Sequence, residues 1–585
     1  MWLICFVLSV TTLLSGAAVA FVKGTLQRRN KSGIDYSKFF MAGVLLSAFF
    51  LFFPIYSDIF GDRYSVVITV LASIHNVIRL FVVDADFSFI TTNFQEAEPW
   101  LRTGYVILFA VLYIIAPILT FNLVLSFFKN ISAYEKYLLR YNSEVYVFSE
   151  LNDKSLALAQ SIDKRKGKKI LVFTNVNHSK SEDDSLIKAV KAIGAVCFSQ
   201  DITTVNFRLH SKHKKISFFT ISGSGTDNTS DGLALIEKYR DRENTELYVF
   251  STQVASEMLF AKVDRGYIKL RRVNEVRSLI YRNLYDDGSK IFDNSVEKDG
   301  SKLISAVILG MGQIGTEMTK ALAWFGQMDG YKLIINSFDK DKSAADKFVR
   351  QCTELMDDKH NGNFTDDGES QYKIDIHGGY EADSQTFAEK IKEIGMVTYV
   401  LVSLGNDEEN ISTAVDLRTL FERMGIKPMI QAVVFDSSKR KALESTTNYA
   451  NQPYGIDFIG DFRTLYSDEV ILTSDLEEKA LARHLKWGKE EEFWAYEYNY
   501  RSSVASAIHY EMKLGCGIPG AELPPDKREE ADKIALRKLE HRRWNAYVRS
   551  EGYCVAPKRN QLAKVHHNLV TFDDLDEATQ KKDDD

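Results

Sequence analysis

Three glycines, Gly310, Gly312 and Gly315, follow an apolar run and precede a segment with helical spacing. In a βαβ unit such a turn brings backbone N–H groups close to a pyrophosphate, and the start of the following helix favours negative charge. Residues 304–309 predict the strand before the turn, and residues 316–325 predict the helix after it. The predicted nucleotide-binding residues of this turn are Gly310, Gly312, Gln313, Ile314 and Gly315.

An acidic residue, Asp339, follows the next predicted strand at 332–337. It stands 24 residues after Gly315, and in a dinucleotide site such an acid accepts a hydrogen bond from a ribose hydroxyl. Glycines in this pattern also occur where a helix only packs closely on a sheet, so a structural role stays open. The spacing favours NAD(H) or a related adenine nucleotide as the ligand.

The first 130 residues are mostly apolar, whereas the rest of the chain is charged and mixed. Uncharged runs at 1–22, 39–57 and 103–128 are each long enough to cross a bilayer as a helix. The first run also resembles a signal peptide at residues 18–20, but no basic segment precedes it. We therefore expect a transmembrane region at 1–130 with about three or four helices.

A fourth apolar run, 64–83, contains Arg79, and an arginine near the bilayer centre costs about 2.5–3.5 kcal/mol. Three crossings are therefore preferred over four, with this run in the interface or dipping back into the bilayer. Residues 73–86 then either face a pore or form an amphipathic helix from which Arg79 reaches the surface. The Thr-Val-Gly-Tyr-Gly filter motif is absent from the sequence, so potassium selectivity is not predicted.

Basic residues cluster between the first two apolar runs, which predicts a cytoplasmic loop there. The amino terminus is then outside, and the bulk of the chain is cytoplasmic in a multi-pass protein of the cell membrane. The basic residues are Lys23, Arg28, Arg29, Lys31 and Lys38.

Short apolar runs alternate with helical segments twice along the remaining chain, which predicts two consecutive doubly wound parallel sheets. The first α/β domain is predicted at 143–295 and the second at 300–475. Ser149, Leu151 and Lys154 replace the glycines in the first domain. We interpret this domain as a degenerate copy used for dimerisation or signal transmission, while Ser149 and Lys154 leave open the binding of another anion.

A turn rich in glycine and acidic residues follows the fourth predicted strand of the second domain and reads Ser-Leu-Gly-Asn-Asp-Glu-Glu-Asn at 403–410. Together with the glycine turn, it resembles the TrkA-N or RCK regulatory domain of potassium channels and transporters. The resemblance covers about residues 143–470 and implies a Rossmann fold, NAD(P) binding and ligand-controlled gating. It also implies that Gly405, Asn406 and Asp407 close over the nucleotide.

Three motifs follow one another near the carboxyl end: Leu-Glu-His-Arg-Arg-Trp-Asn-Ala-Tyr at 539–547, Ser-Glu-Gly-Tyr at 550–553 and His-Asn-Leu-Val-Thr-Phe-Asp-Asp-Leu at 567–575. Together they resemble a RyR domain, a small helical module of ryanodine receptors and of bacterial proteins tied to nucleotide signalling. This RyR-like module is predicted at 525–585, after a helical connector at 480–524.

Four residues of this module share a helix face, because they recur at helical spacing. An aromatic ring beside a guanidinium can grip a planar, anionic ligand. The alternative is a tryptophan that anchors a small core next to a solvated ion pair. The candidates are Glu540, Arg543, Trp544 and Tyr547.

The net charge of −6 gives no sign of nucleic-acid binding, and the five scattered cysteines predict neither disulfides nor a metal site. We recognise no catalytic constellation, so an enzyme is not predicted. The sequence predicts a homo-oligomeric membrane protein gated by a cytosolic nucleotide, either an ion channel or a membrane-perturbing effector. A non-conducting nucleotide-sensing subunit is the alternative, and a membrane-tethered oxidoreductase is a weaker one.

Overall fold

The computed structural model describes residues 1–27, 37–61, 65–86, 88, 92, 98–127, 129–138, 143–176, 184–207, 214–261, 263–364, 370–444, 447 and 451–583. The chain divides into two units. The N-terminal unit consists of Met1–Tyr141, Val176–Ala192 and Val196–Ser199. The C-terminal unit consists of Asn142–Asn175, Ile193–Ala195 and Gln200–Asp585.

The N-terminal unit begins with long apolar helices. They are α1 (Trp2–Gln27), α2 (Ser37–Phe60), α3 (Val66–Phe81), α4 (Pro99–Phe127) and α5 (Lys129–Leu138). Three stretches are long and apolar enough to cross a membrane, namely Trp2–Val19, Phe40–Phe60 and Pro99–Phe121. Three candidate membrane-spanning helices are thus confirmed, and α3 is apolar but shorter, at 16 residues.

The predicted orientation of the chain rests on the basic loop between α1 and α2. Arg28, Arg29 and Lys31 lie outside the described residues, and the same holds for the side chains of Lys23 and Lys38. The cytoplasmic position of this loop therefore stays a prediction.

Helices α1 and α2 approach each other closely at small residues. A Cβ atom added to Gly43 would lie 2.9 Å from the backbone oxygen of Thr12 and 3.0 Å from the Cα of Gly16. About one turn earlier in α1, the Ser9 hydroxyl donates a hydrogen bond of 2.6 Å to the backbone oxygen of Ser47 on α2. Small residues and buried hydroxyls are typical of helix pairs that pack within a membrane.

The buried face of helix α3 carries polar residues beside apolar ones, and several apolar residues lie on its exposed face. Ser73 and Asn76 are buried, and the Asn76 amide donates a hydrogen bond to the Tyr56 hydroxyl on α2. Leu71 and Ile78 are exposed. Arg79 sits near the end of α3, where its Nε lies 2.9 Å from the Asp84 carboxylate. The position of residues 73–86 against a pore stays a prediction.

The first α/β domain alternates strands and helices, as predicted. Its strands are β1 (Glu144–Phe148), β2 (Lys169–Phe173), β3 (Val196–Cys197), β4 (Ile216–Thr220), β5 (Thr245–Phe250) and β6 (Lys269–Val273). Its helices are α6 (Asp153–Asp163), α7 (Asp184–Ala192), α8 (Gly225–Tyr239) and α9 (Val254–Ala261), and α10 (Glu275–Asp293) leads out of it. Helix α7 and β3 belong to segments that group with the N-terminal unit.

The second α/β domain repeats this arrangement. Its strands are β7 (Val296–Lys298), β8 (Ser301–Leu309), β9 (Tyr331–Asp339), β10 (Tyr372–Gly378), β11 (Tyr399–Val402), β12 (Met429–Val433) and β13 (Ile456–Ile459). Its helices are α11 (Gln313–Phe325), α12 (Ala344–Gln351), α13 (Gln385–Ile394), α14 (Asp407–Met424) and α15 (Ser437–Glu444).

The two sheets follow the same strand order within the C-terminal unit. The first runs β2-β1-β4-β5-β6, and the second runs β10-β9-β8-β11-β12-β13, with β7 antiparallel to β8. All other neighbouring strands in these two sheets are parallel. The second order is that of doubly wound folds whose ligands bind at the carboxyl edge, where the order reverses. Two parallel α/β sheets are therefore confirmed.

The described residues after the second sheet form helices and one short strand pair. It contains α16 (Phe462–Leu465), α17 (Asp468–Ile471), α18 (Asp475–His484), α19 (Glu490–Ala495), α20 (Glu497–Gly515), α21 (Glu530–Ser550) and α22 (Glu577–Gln580). Strands β14 (Cys554–Val555) and β15 (Val565–His566) pair with each other. Residues 200–585 all belong to one unit, so the boundaries predicted at 480–524 and 525–585 stay predictions.

One side-chain contact recurs in both α/β domains. The Asn228 amide accepts a hydrogen bond from Ser222 N at 2.7 Å and donates one to Phe250 O at 2.8 Å. Asn410 does the same in the second domain, with Leu404 N at 2.6 Å and Val433 O at 2.8 Å. In each case a buried asparagine ties the loop after one strand to the end of the next, which supports an internal duplication.

We expect Gly43→Leu to weaken the packing of α1 on α2 by about 1–3 kcal/mol, because the added atoms meet backbone rather than a movable side chain. The measurement is the midpoint of thermal unfolding of the full chain in detergent. Ser15→Leu is the control, since Ser15 is exposed on α1. Equal midpoints for both variants would contradict the close approach.

We expect Asn228→Ala and Asn410→Ala to destabilise the protein by about 1–3 kcal/mol each, because each leaves two backbone groups without a partner. Urea unfolding followed by tryptophan fluorescence measures this loss, and Glu409→Ala, at an exposed position on α14, serves as the control. A large loss at only one asparagine would show that the two loops are not equivalent.

Candidate functional site

The glycine turn lies at the carboxyl edge of the second sheet, between β8 and α11. Gly310 has a φ of +87°, and a Cβ added there would lie 2.4 Å from the backbone oxygen of Ser403. A Cβ added to Gly315 would lie 1.8 Å from the backbone oxygen of Gly310. The first glycine is therefore required by the turn and by the approach to β11, and the third by the close packing of the helix.

Gly312 differs from the other two glycines because its α-carbon faces open space. A Cβ added there meets no described atom within 4 Å. Gly312 is the N-cap residue directly before α11 and is exposed, as is Gln313, and no side chain caps the helix start in the described structure. Ile314 is half-buried and Gly315 is buried. The first backbone N–H groups of α11 are thus accessible beside a glycine that leaves room for a ligand.

Asp339 ends β9 directly beside this turn. Its carboxylate accepts hydrogen bonds from Met311 N at 2.6 Å and from Asp341 N at 2.7 Å. The register that pairs Leu309 with Phe338 explains this proximity, since it places the ends of β8 and β9 side by side. A carboxylate has about four lone-pair positions, so two of them remain for hydroxyl donors.

The loop after β11 forms the second wall beside the turn. The Ser403 hydroxyl donates hydrogen bonds to Leu309 O at 3.0 Å and to Gly310 O at 3.3 Å. Gly405 follows with a φ of +108°, is exposed, and has open space at its Cβ position. Ser403 was not predicted as part of the site, although it precedes the predicted Gly405 by two residues.

The side chains of Asn406 and Asp407 hold neighbouring backbone segments. Asn406 caps α14 by accepting a hydrogen bond from Glu409 N at 2.8 Å. The Asp407 carboxylate accepts from Phe435 N at 3.2 Å and from Asp436 N at 3.0 Å, which orders the loop after β12. The structure therefore gives both side chains a role in shaping the edge of the sheet, and their contact with a nucleotide stays a prediction.

The corresponding turn of the first domain is closed by side chains. The Ser149 hydroxyl accepts a hydrogen bond from Ile221 N at 2.9 Å, and Leu151 is buried. The Lys154 ammonium lies 2.9 Å from the Glu275 carboxylate. Because the lysine charge is paired and the serine hydroxyl is engaged, this arrangement favours the degenerate copy over a second anion site.

Three of the four RyR-like candidates are buried against the rest of the unit. Glu540 accepts hydrogen bonds from Arg543 Nη2 at 2.6 Å and from Lys513 Nζ at 3.0 Å. Tyr547 is fully buried, with its ring 6.2 Å from that of Trp324 on α11. The expected alternative, a solvated Glu540–Arg543 pair, does not describe this geometry, because both groups are buried.

Trp544 shares the helix face of the other three candidates on α21 but is less buried than they are. It is half-buried, stacks on His541 with ring centroids 5.8 Å apart, and meets the edge of His566 at 5.1 Å. A ligand gripped jointly by Trp544 and Arg543 would therefore have to displace buried contacts. The ligand-binding role of these residues stays a prediction.

Buried ion pairs connect helix α11 to the end of helix α21, and they were not predicted from the sequence. Arg277 Nε lies 2.6 Å from Glu317 on α11, and Arg277 Nη2 lies 2.8 Å from Glu551 after α21. Arg501 on α20 approaches Glu551 at 3.4 Å and Glu257 at 3.1 Å. These pairs join residues far apart in sequence, so no local sequence pattern predicts them.

The charges in this cluster alter the acidity of its groups. Burial by itself would raise the pKa of Glu551, but the charges of Arg277 and Arg501 lower it to about 2. For Lys513 the balance is opposite, because burial lowers its pKa to about 8 despite the Glu540 carboxylate. Glu551 is therefore ionised in the folded protein across the physiological range.

We expect Glu551→Gln to destabilise the full chain by about 1.5–3 kcal/mol near neutral pH, because Arg277 and Arg501 each lose one charged hydrogen-bond partner. Arg277 keeps its pair with Glu317, and Arg501 keeps its pair with Glu257.

The folded pKa of Glu551 is depressed, so its contribution is present above about 4.5 and is lost as the pH falls toward about 2. Chemical unfolding at a series of pH values measures this, with Glu381→Gln at an exposed position as the control. A difference that stays constant over this pH interval contradicts the assignment.

Within the described residues, no group of three or more His, Cys, Asp or Glu side chains could hold a metal ion. Among known protein families no model matches this chain, and a search of curated proteins finds none that is significantly similar to it. The glycine turn, Asp339 and the loop after β11 therefore carry the functional interpretation.

Proposed function

We propose that this chain is a membrane protein whose state is set by a nucleotide bound at the carboxyl edge of its second sheet. The observation that carries the proposal is that the three glycines of the turn have different surroundings. Gly310 and Gly315 are required by backbone contacts, whereas Gly312 leaves an open position beside an uncapped helix start. This is the distribution of roles that a dinucleotide site requires.

The residues present fit NAD(H) or a related adenine nucleotide. The backbone N–H groups at the start of α11 would hold the phosphates, helped by the helix dipole. Asp339 would accept hydrogen bonds from ribose hydroxyls, since Met311 N and Asp341 N already hold its carboxylate in place. Such a ligand would act as a signal, because no side chain at this edge was identified as an acid or base for hydride transfer.

In this proposal the three candidate membrane-spanning helices respond to nucleotide binding. Nucleotide binding would change the conformation of these helices. The protein would then be an ion channel or a membrane-perturbing effector that works as a homo-oligomer. The resemblance of the second domain to TrkA-N/RCK domains, and of the carboxyl end to RyR domains, supports ligand-controlled gating. A cytoplasmic location of the α/β domains is part of the proposal, because nucleotides are available there.

One observation favours a non-conducting nucleotide sensor as the second candidate. The polar residues Ser73 and Asn76 of α3 are buried, and Asn76 is engaged by Tyr56 of α2 within one chain. A short helix that turns its polar side chains inward leaves apolar residues, such as Leu71 and Ile78, on its exposed face. In this case the nucleotide-induced conformational change would be transmitted to a partner protein.

We expect Gly312→Asp to abolish nucleotide binding and leave the fold intact, because the new side chain enters open space with a negative charge. Isothermal titration of the full chain in detergent with NAD⁺, NADH, ATP and ADP-ribose measures the affinity. Gly223→Asp is the matched control, since Gly223 is an exposed glycine with open space in the first domain. Gly315→Ala should instead destabilise the protein.

Ion flux in liposomes then separates the two candidates. Flux that responds to the binding nucleotide, and is lost in Gly312→Asp but kept in Gly223→Asp, supports a gated channel. Binding without flux supports the non-conducting sensor. Unchanged nucleotide affinity in Gly312→Asp would overturn the site itself.

A further inference from the structure

Hydrogen bonds within the N-terminal unit show the direction in which its long helices run. Ser9 on α1 bonds to Ser47 on α2, and at the start of α1 the Trp2 indole donates a hydrogen bond of 2.7 Å to Asp58 near the end of α2. Helices α1 and α2 are therefore antiparallel. The Tyr105 hydroxyl donates a hydrogen bond of 2.9 Å to Trp2 O, which places the beginning of α4 at the same end of the unit.

Helix α4 is also antiparallel to α2. The ring of Phe109, further along α4 than Tyr105, lies 6.3 Å from the ring of Phe52, which stands earlier in α2 than Asp58. The three candidate spans α1, α2 and α4 thus alternate in direction, as three consecutive crossings require.

Helix α3 does not continue this alternation. It begins shortly after α2 ends, and its Asn76 amide donates a hydrogen bond to the Tyr56 hydroxyl on α2. Its last residue, Phe81, accepts a hydrogen bond of 3.0 Å from the Thr120 hydroxyl on α4. Thr120 lies near the end of the apolar stretch of α4, whereas Tyr105 lies near its start. Helix α3 therefore runs in the same direction as α4 and extends along most of that stretch.

The exposed face of α3 is apolar from one end of the helix to the other. Val67, Leu71, Ile74 and Ile78 are exposed and recur at helical spacing. Within the described residues of α3, His75 is the one exposed polar residue, and it lies at the border of this face. An apolar face of this length, next to candidate membrane-spanning helices, fits contact with lipid hydrocarbon.

The carboxyl end of α3 has hydrogen-bond partners for its backbone inside the protein. Ile78 O and Arg79 O each accept a hydrogen bond of 3.2 Å from Val82 N, and Phe81 O accepts from Thr120. In a bilayer no water is present to hydrogen-bond the last carbonyl groups of a helix, so protein groups must do so. These three carbonyl groups meet that requirement.

The charge of Arg79 is compensated at the same end of α3. Its Nε lies 2.9 Å from the Asp84 carboxylate, and its Nη2 donates a hydrogen bond of 2.7 Å to Asp84 O. Charged side chains at membrane depth pair with one another or with backbone carbonyl groups, and Arg79 does both. The cost of this arginine is therefore reduced by a partner five residues away.

We propose that α3 is a re-entrant helix whose apolar face contacts lipid hydrocarbon. It enters the bilayer beside α4, and the chain is back on the side of entry where α4 begins, because both helices start at the same end of the unit. The number of crossings stays three. Of the two positions that the sequence leaves open for this stretch, the contacts thus favour the one inside the bilayer. The proposal concerns the N-terminal unit and does not depend on nucleotide binding.

Depth-dependent quenching tests the position of α3. A fluorescent amino acid is incorporated at one position of the full chain, in liposomes whose lipids carry a nitroxide quencher at a set depth. Because Phe81 lies level with Thr120, each probe on α3 should be quenched best at the same nitroxide depth as its partner on α4. The first and last probes on each helix should differ by about 16 Å along the helix axis. The exposed pairs are Val67 with Ile107, Ile74 with Ile114, and Ile78 with Ile118.

Thiol labelling of sealed vesicles tests the return of the chain. Ser65→Cys and Glu98→Cys, at exposed positions directly before α3 and α4, should react with a membrane-impermeant maleimide from the same side. The unmodified chain, with its native cysteines, gives the background. Reaction from opposite sides would overturn the re-entrant path.

Two results of the quenching experiment would also overturn the proposal. A single shallow depth for all three probes on α3 would show a helix that lies flat in the interface. Loss of lipid quenching on α3, with quenching kept on α4, would show that a second copy or another protein covers the apolar face.

Discussion

The buried pairing of Arg277 with Glu317 and Glu551 is the constraint on which the arrangement of the C-terminal unit depends. Helix α10 carries Arg277 out of the first α/β domain, Glu317 lies on the helix that follows the glycine turn, and Glu551 follows the long helix α21. Because a buried guanidinium without its carboxylates is strongly unfavourable, these three elements must keep their relative positions. A ligand that alters any one of them therefore acts on the other two.

The two α/β domains share one buried contact and differ at their first turn. Both keep a buried asparagine, Asn228 or Asn410, that ties two strand ends together in the same way. They differ at the first turn, where the second domain has three glycines and the first has Ser149, Leu151 and a paired Lys154. The asparagine contact is thus common to both domains, while side chains occupy the first turn of the first domain only.

The sequence predicted the local elements well because their signals are local. Apolar runs of strand length, uncharged runs of membrane length and a glycine turn followed by an acid each depend on neighbouring residues. The duplicated asparagine loop also had a local signal, since a glycine precedes Asn228 and Asn410 by five residues in each case. This loop was predicted from the sequence only in the second domain.

The sequence by itself determined the apolar helices, the two parallel sheets and the glycine turn with Asp339. Tertiary structure alone decided which side chains are free to meet a ligand. It placed Glu540, Arg543 and Tyr547 in a buried cluster and gave Asn406 and Asp407 backbone partners. The physical reason is that burial and ion pairing depend on contacts between residues far apart in the chain, which no short pattern contains.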